Sequence, residues 1–161
     1  MKLVLALFLA MALAGCVSDG RSLRPGDAAE AVRADMGNPA LVVPLPDGGQ
    51  AWFYPRGRVG RQTFRAELGP DGKLRKVEQV LDEQHFEQVI PFKTTREELL
   101  RMLGPPVYEG RGSLKKKEAI WEYTYFWYGQ QPWLARFGID DQGRVTGWIF
   151  ISEMGGPSGR M

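Results

Sequence analysis

Two residue types that carry much of protein chemistry are almost missing. The chain has one cysteine, Cys16, and one histidine, His85, in 161 residues. A single cysteine excludes an internal disulfide framework, and one histidine without a second thiol leaves no ligand set for zinc. His85 falls on a short predicted helix, Asp82–Val89. Nothing near it in sequence supplies the partner that a general base requires, so it reads as a half-exposed helix residue. Neither sign of charge dominates, with 21 Lys and Arg against 19 Asp and Glu, which removes the electrostatic footprint of a nucleic-acid binder. Asp140-Asp141 lacks the ligand alternation and closing glutamate of a calcium loop and reads as a turn. Gly110-Arg111-Gly112 lacks the strand-to-helix setting of a phosphate loop. The expectation is a protein that is not an enzyme, with no catalytic or metal-binding residues, no cofactor and no small-molecule substrate.

Long apolar runs are also scarce. The one present, Leu3–Ala14, follows Lys2 and is too short to span a bilayer as a mature helix. It has the layout of a secretory signal. Its end, Leu13-Ala14-Gly15-Cys16, looks like a bacterial lipobox, in which small residues precede a cysteine that is lipidated. Residues 1–15 are therefore expected to be a lipoprotein signal peptide, with Cys16 as the lipidation site and 16–24 as a polar tether. Several acyl chains, each methylene worth about 0.8 kcal/mol when buried, would hold the protein on a membrane. Val17 after the cysteine points to the outer membrane, because in the lipoproteins that this segment resembles an aspartate there favours inner-membrane retention.

What the chain does have is a sentence written twice. Thr94–Pro106 reads as a complete helix: Thr94 and Glu97 are placed as a capping box, Leu99, Leu100 and Leu103 form a stripe, and Gly104-Pro105-Pro106 ends it. Asp27–Pro39 repeats this, with Asp27 as cap, Val32 and Met36 as stripe and Gly37-Asn38-Pro39 as stop. Three antiparallel strands are expected after each helix: from Ala51, Thr63–Leu68 and Leu74–Leu81 in the first copy, and Ala119–Tyr128, Leu134–Ile139 and Arg144–Ser152 in the second. Trp52-x-Tyr54 answers Trp121-x-Tyr123, and Asp71-Gly72-Lys73 answers Gln142-Gly143-Arg144. This is an internal repeat, with a first unit at 25–81, a second at 82–153 and a disordered tail at 154–161. Each unit is too small to bury much core alone, so the two should pack together or share one curved sheet.

The helix, the Leu103-Gly104-x-Pro106 stop and the Trp121-x-Tyr123 strand, with a weaker first match at Met36-Gly37-x-Pro39, resemble the SmpA/OmlA (BamE-like) family of outer-membrane lipoproteins. The resemblance covers the mature chain once per repeat. It implies an α+β fold of two repeats, each with helices packed on a three-stranded antiparallel sheet; the first repeat departs by lacking the leading helix. It also implies a periplasm-facing, lipid-anchored module whose partner belongs to the β-barrel assembly machinery or is another envelope protein. The doubling resembles β-lactamase inhibitory protein, which implies an alternative: a module that binds a periplasmic or secreted enzyme through its sheet face.

Two surfaces are candidates for partner contact. Alternation places Trp121, Tyr123, Tyr125 and Trp127 on one sheet face, with Ile120, Phe126 and Tyr128 on the other. Apolar residues on both faces imply a second packing partner, so Tyr125, Trp127, Tyr128, Trp133 and Trp148 are candidate binding residues, with Trp52 and Trp121 in the core. The basic loops, Arg56, Arg58 and Arg61 on one tip and Arg111, Lys115, Lys116 and Lys117 on another, are candidates for anionic headgroups or an acidic partner. Solvated hairpin tips are the plainer reading of them.

Overall fold

The computed structural model describes residues 18–112, 118–127, 131–153 and 157–158. The fold is α+β, with two antiparallel sheets. The first sheet has the order β1 (Leu41–Pro44), β2 (Gln50–Arg56), β3 (Gln62–Leu68), β4 (Leu74–Gln79), preceded by α1 (Ala29–Met36). The second has the order β5 (Tyr108–Arg111), β6 (Ala119–Trp127), β7 (Gln131–Ile139), β8 (Val145–Ser152), β9 (Pro157–Ser158), preceded by α2 (Glu83–Phe86) and α3 (Arg96–Leu103). Among the described residues no helix is long and apolar enough to cross a membrane.

The sheets are larger than the three strands expected for each. Leu41–Pro44 pairs with β2, and Tyr108–Arg111, expected within a flexible basic loop, pairs with β6. Both are short edge segments whose pairing depends on a partner rather than on their own pattern. Pro157 and Ser158 pair with Ile151 and Phe150, so part of the expected disordered tail is a strand. Asp82–Val89 shortens to the single turn of α2, capped by Asp82 as its side chain accepts from His85 N–H at 2.9 Å. The capping box of α3 lies one residue later than expected: Thr95 accepts from Glu98 N–H and Glu98 accepts from Thr95 N–H. Thr94 instead accepts the N–H of Ile90. Helix α1 has no side-chain cap; Asp27 accepts the N–H of Arg24.

The repeat extends to single hydrogen bonds. Ala29 N–H donates to Gly72 O as Arg96 N–H does to Gly143 O, and Leu74 N–H to Asp27 O as Val145 N–H does to Thr94 O. Ala40 N–H bonds Phe53 O, and Val107 N–H bonds Glu122 O. Each sheet has a register shift at the same place, next to Leu68 and next to Ile139. The last helical residue of each copy precedes a glycine of nearly identical conformation: Gly37 with φ 82° and ψ −164°, Gly104 with φ 78° and ψ −162°. That region is accessible essentially to glycine alone.

The layers run α1, first sheet, α2 and α3, second sheet. Val32 and Met36 of α1 pack on Trp52, Tyr54, Ala66, Leu68 and Leu74. The opposite face of the same sheet, with Val43, Ala51, Phe53 and Val80, receives Leu100 of α3. Leu99 and Leu103 of the same helix enter the main core with Trp121, Tyr123, Tyr125, Phe137, Phe86 and Phe150. Helix α3 therefore serves two sheets. A Cβ on Gly104 would lie 2.5 Å from Cδ1 of buried Phe53, and Arg65 Nη1 donates to Arg101 O at 3.0 Å. The two repeats pack together through a shared helix, not through one continuous sheet.

Candidate functional site

Among the described residues, the face of the second sheet turned away from α3 is covered by no helix. Alternation along β6, β7 and β8 brings two cross-strand rows to it. One row is Tyr108, Glu122, Arg136, Ile149; the other is Gly110, Ile120, Gly138, Gly147. Leu134 and Ile151, cross-strand partners, extend the apolar part. Of the three glycines in this row, Gly110 lies under Tyr108 and Gly138 under Thr146 and Glu118, while Gly147 leaves open space on β8. A groove of about 710 Å³ lies there, lined among others by Phe92, Ile120, Arg136, Gly147 and Ile149.

The polar groups of this face are paired within it. Arg136 donates to Glu122 from both Nε at 2.7 Å and Nη2 at 2.6 Å. Thr146 donates to Glu118, and that pair lies across Gly138, where a Cβ would meet Thr146 Oγ1 at 2.6 Å. Phe92, at the rim, is 63% exposed and holds φ at +60°. A non-glycine residue in the left-handed region costs about 1–3 kcal/mol; Phe92 is held there by its N–H bond to Val145 O at 2.7 Å. The far end of the face is closed by the first repeat. Val59 O accepts from Thr124 Oγ1 at 2.7 Å, and Arg61 lies over the Phe126 ring at 5.6 Å and pairs with Glu153 at 2.7 Å.

The aromatic candidates belong to the opposite, core face. Tyr125 is fully buried, 4.9 Å edge-on to Phe86. Trp127 and Trp133 stack on one another at 4.9 Å, and Trp148 stacks on Phe137 at 6.2 Å; all three pack against the main core. Full burial removes Tyr125 as a partner anchor, while Trp127, Trp133 and Trp148 stay half-buried on the face that also carries Trp121 and Tyr123, which α3 covers. Tyr128 lies outside the described residues. Trp52 and Trp121 are buried, 2% and 3% exposed. Of the aliphatic residues at the intervening positions, Ile149 is exposed and Ile120, Leu134 and Ile151 are half-buried. Ile120 stood out in the sequence as opposite in phase to the tryptophans; the glycine row had no signal, because its register across three strands is not readable from spacing.

The basic clusters also separate. Arg56 is not a free charge: Nη2 donates to Met36 O at 2.6 Å and its guanidinium lies 5.3 Å over Tyr54. Arg61 joins the repeats through Glu153. Arg58 and Arg111 are exposed, with Arg111 on a strand rather than a loop. Lys115, Lys116 and Lys117 lie outside the described residues, as does Cys16. His85 has partners that sequence did not supply: Nδ1 is 2.7 Å from Asp82 Oδ1, and Nε2 faces Glu78 Oε2 on β4 at 3.9 Å.

Burial pushes the tyrosines up: Tyr54 to about 12, and Tyr123 and Tyr125 well above the ordinary phenol value. They are neutral core residues at physiological pH. Among the described residues no cluster of His, Cys, Asp or Glu could hold a metal ion.

No family model matches the chain, and no curated protein matches it. Among solved structures, an extracellular protein containing an SCP domain from Bacillus anthracis str. Ames aligns over 87% of this chain and 49% of its own length. The identity is 15% and the TM-score 0.31. The match thus spans about half of that protein, and a likeness of this degree carries no argument about function.

Proposed function

We propose that this chain is a non-enzymatic, lipid-anchored envelope protein, a periplasm-facing binding or scaffold module of the SmpA/OmlA (BamE-like) type on the outer membrane. The observation that carries the binding role is the uncovered face of β6–β8, with Ile120, Leu134, Ile149 and Ile151 around the Glu122–Arg136 pair. An antiparallel sheet in a small domain can leave one face to water, alternating to polar residues on that face; here aliphatic side chains of three strands stand beside a single ion pair, with Ile149 exposed. Aliphatic surface around an internally satisfied ion pair suits protein docking. The Leu13-Ala14-Gly15-Cys16 sequence supports the anchor, and the matched Leu103-Gly104-x-Pro106 and Trp121-x-Tyr123 positions support the family; the barrel-assembly machinery is the partner context that the family implies.

Co-purification from detergent-extracted envelopes tests the reading. The wild-type chain should retain a defined envelope partner, and Ile149→Asp should lose it while keeping the wild-type melting temperature. Retention of the same partner by Ile149→Asp would move the docking site elsewhere. Cys16→Ser should abolish acylation, and a substituted form that still sediments with outer membrane would remove the anchor from the proposal.

A further inference from the structure

The uncovered face has an equivalent within the same molecule, and there it is occupied. Superposing the repeats by their hydrogen-bonded registers makes the row Leu41–Phe53–Arg65–Glu78 equivalent to Tyr108–Glu122–Arg136–Ile149, and Val43–Ala51–Glu67–Lys76 equivalent to Gly110–Ile120–Gly138–Gly147. On the first sheet this face seats α3. Phe53 meets Gly104 at the helix end, Leu100 enters between Val43, Ala51 and Phe53, and Arg65 donates to Arg101 O, one of the carbonyls that a helix C-terminus leaves without an internal partner. Arg136 stands where Arg65 stands.

We infer that the uncovered face of the second sheet is a seat for one amphipathic α-helix of a partner protein, lying across β6–β8 as α3 lies across β2–β4, with a carbonyl of its last turn on Arg136. This rests on the docking role proposed above and specifies its occupant. The differences between the two faces define that helix. Of the three glycines that replace Val43, Glu67 and Lys76, Gly110 is covered by the Tyr108 ring and Gly138 by Thr146 and Glu118, so the open space is at Gly147, where a large aliphatic side chain of the helix would enter. A Cβ on Gly147 would meet nothing within 4 Å, and Phe92 and Ile149 flank that space. Glu122 replaces Phe53, which puts a carboxylate beside the seat of the helix end. Cations belong near a helix C-terminus, so the fitting helix carries a basic residue in its last turn, as α3 carries Arg101. Repeat proteins place a polar capping unit over their last face; among the described residues no helix covers this one.

The probe is the segment that already solves the problem: a lactam-bridged peptide of Thr94–Pro106, titrated into the full chain in detergent and followed by amide and arginine Nε–H NMR. Saturable shifts at Arg136, Gly138, Gly147 and Ile149 are expected. Gly147→Phe, which fills open space at an ordinary backbone conformation, should weaken binding by about tenfold or more, and Arg136→Lys by severalfold, while Arg111→Lys changes nothing. No saturable shift, equal affinity for Gly147→Phe, or shifts confined to Phe53 and its neighbours through displacement of the resident α3 would each overturn the inference. So would shifts confined to the outer edge of β8 at Trp148, which would mean strand addition instead. If the peptide fails while Ile149→Asp still abolishes partner capture, the docking reading stands and the helix does not.

Discussion

Gly104→Ala is the substitution that most directly measures the junction between the repeats. Two costs apply. The backbone at φ 78°, ψ −162° is a conformation that only glycine visits readily, about 1–3 kcal/mol for any other residue. The new methyl would also sit 2.5 Å from Cδ1 of Phe53, which is fully buried and has no free direction in which to move; overpacking of this sort costs about 1–3 kcal/mol. Gly37→Ala provides the internal control, because its backbone is the same, φ 82° and ψ −164°, and nothing lies within 4 Å of its added methyl. Urea unfolding of a soluble form beginning at Ser18 should show both variants destabilised, with Gly104→Ala lower by about a further 1–3 kcal/mol. Phe53→Leu in the Gly104→Ala background should recover part of the difference, with a coupling of about 0.5 kcal/mol or more. Equal losses at the two glycines, or no coupling to Phe53, would refute the claim that α3 is clamped against the first sheet.

Three further outcomes follow from the core. Tyr123→Phe should cost about 1 kcal/mol in chemical denaturation, since its buried hydroxyl donates to Gly104 O at 3.0 Å, whereas Tyr125→Phe should be neutral or stabilising, because its buried hydroxyl has no partner among the described residues. Stability should fall in alkali: Tyr54 is held protonated in the fold to about pH 12, so the stability that it protects is complete below the ordinary phenol value near 10 and is lost as pH rises from there through 12; Tyr54→Phe should reduce that loss in pH-dependent unfolding. Leu103→Ala should lower stability by about 2–5 kcal/mol as a fully buried large-to-small change, while Arg58→Ala at the exposed tip should shift the thermal midpoint by almost nothing.

Helix stops and tight turns were legible because they are local. Gly104-Pro105-Pro106 and Asp71-Gly72 carry their conformations in three residues or fewer, and the repeat followed from their recurrence. The cap of α3 lies one residue later because Thr94 and Thr95 are both competent acceptors; the N–H of Ile90 claims the first and leaves the helix to the second. The edge strand β5 is not legible, since Tyr-Glu-Gly-Arg has no strand pattern of its own and gains its structure from β6. At the candidate site, alternation separated the two faces of β6 correctly but could not say which one α3 would cover. Trp121 and Tyr125 are in the core with Trp127, Trp133 and Trp148 half-buried beside them, and the face opposite α3 carries the residues between them. Arg56 and Arg61 read as surface charge in sequence because their acceptors, Met36 O and Glu153, lie 20 and 92 residues away.

The double duty of α3 makes the two halves a single thermodynamic unit. Leu99 and Leu103 face one sheet and Leu100 the other, so unfolding either half strips the helix of a partner and exposes apolar surface on the remaining half. Cutting the chain between Leu81 and Asp82 would not yield two small folded domains. It would yield a first half with Phe53 and Ala51 open to water, prone to associate through that face, and a second half whose helix has one side unsupported. Duplication here has produced interdependence: each copy has become a component that the other can no longer do without, and melting should be one cooperative transition rather than two.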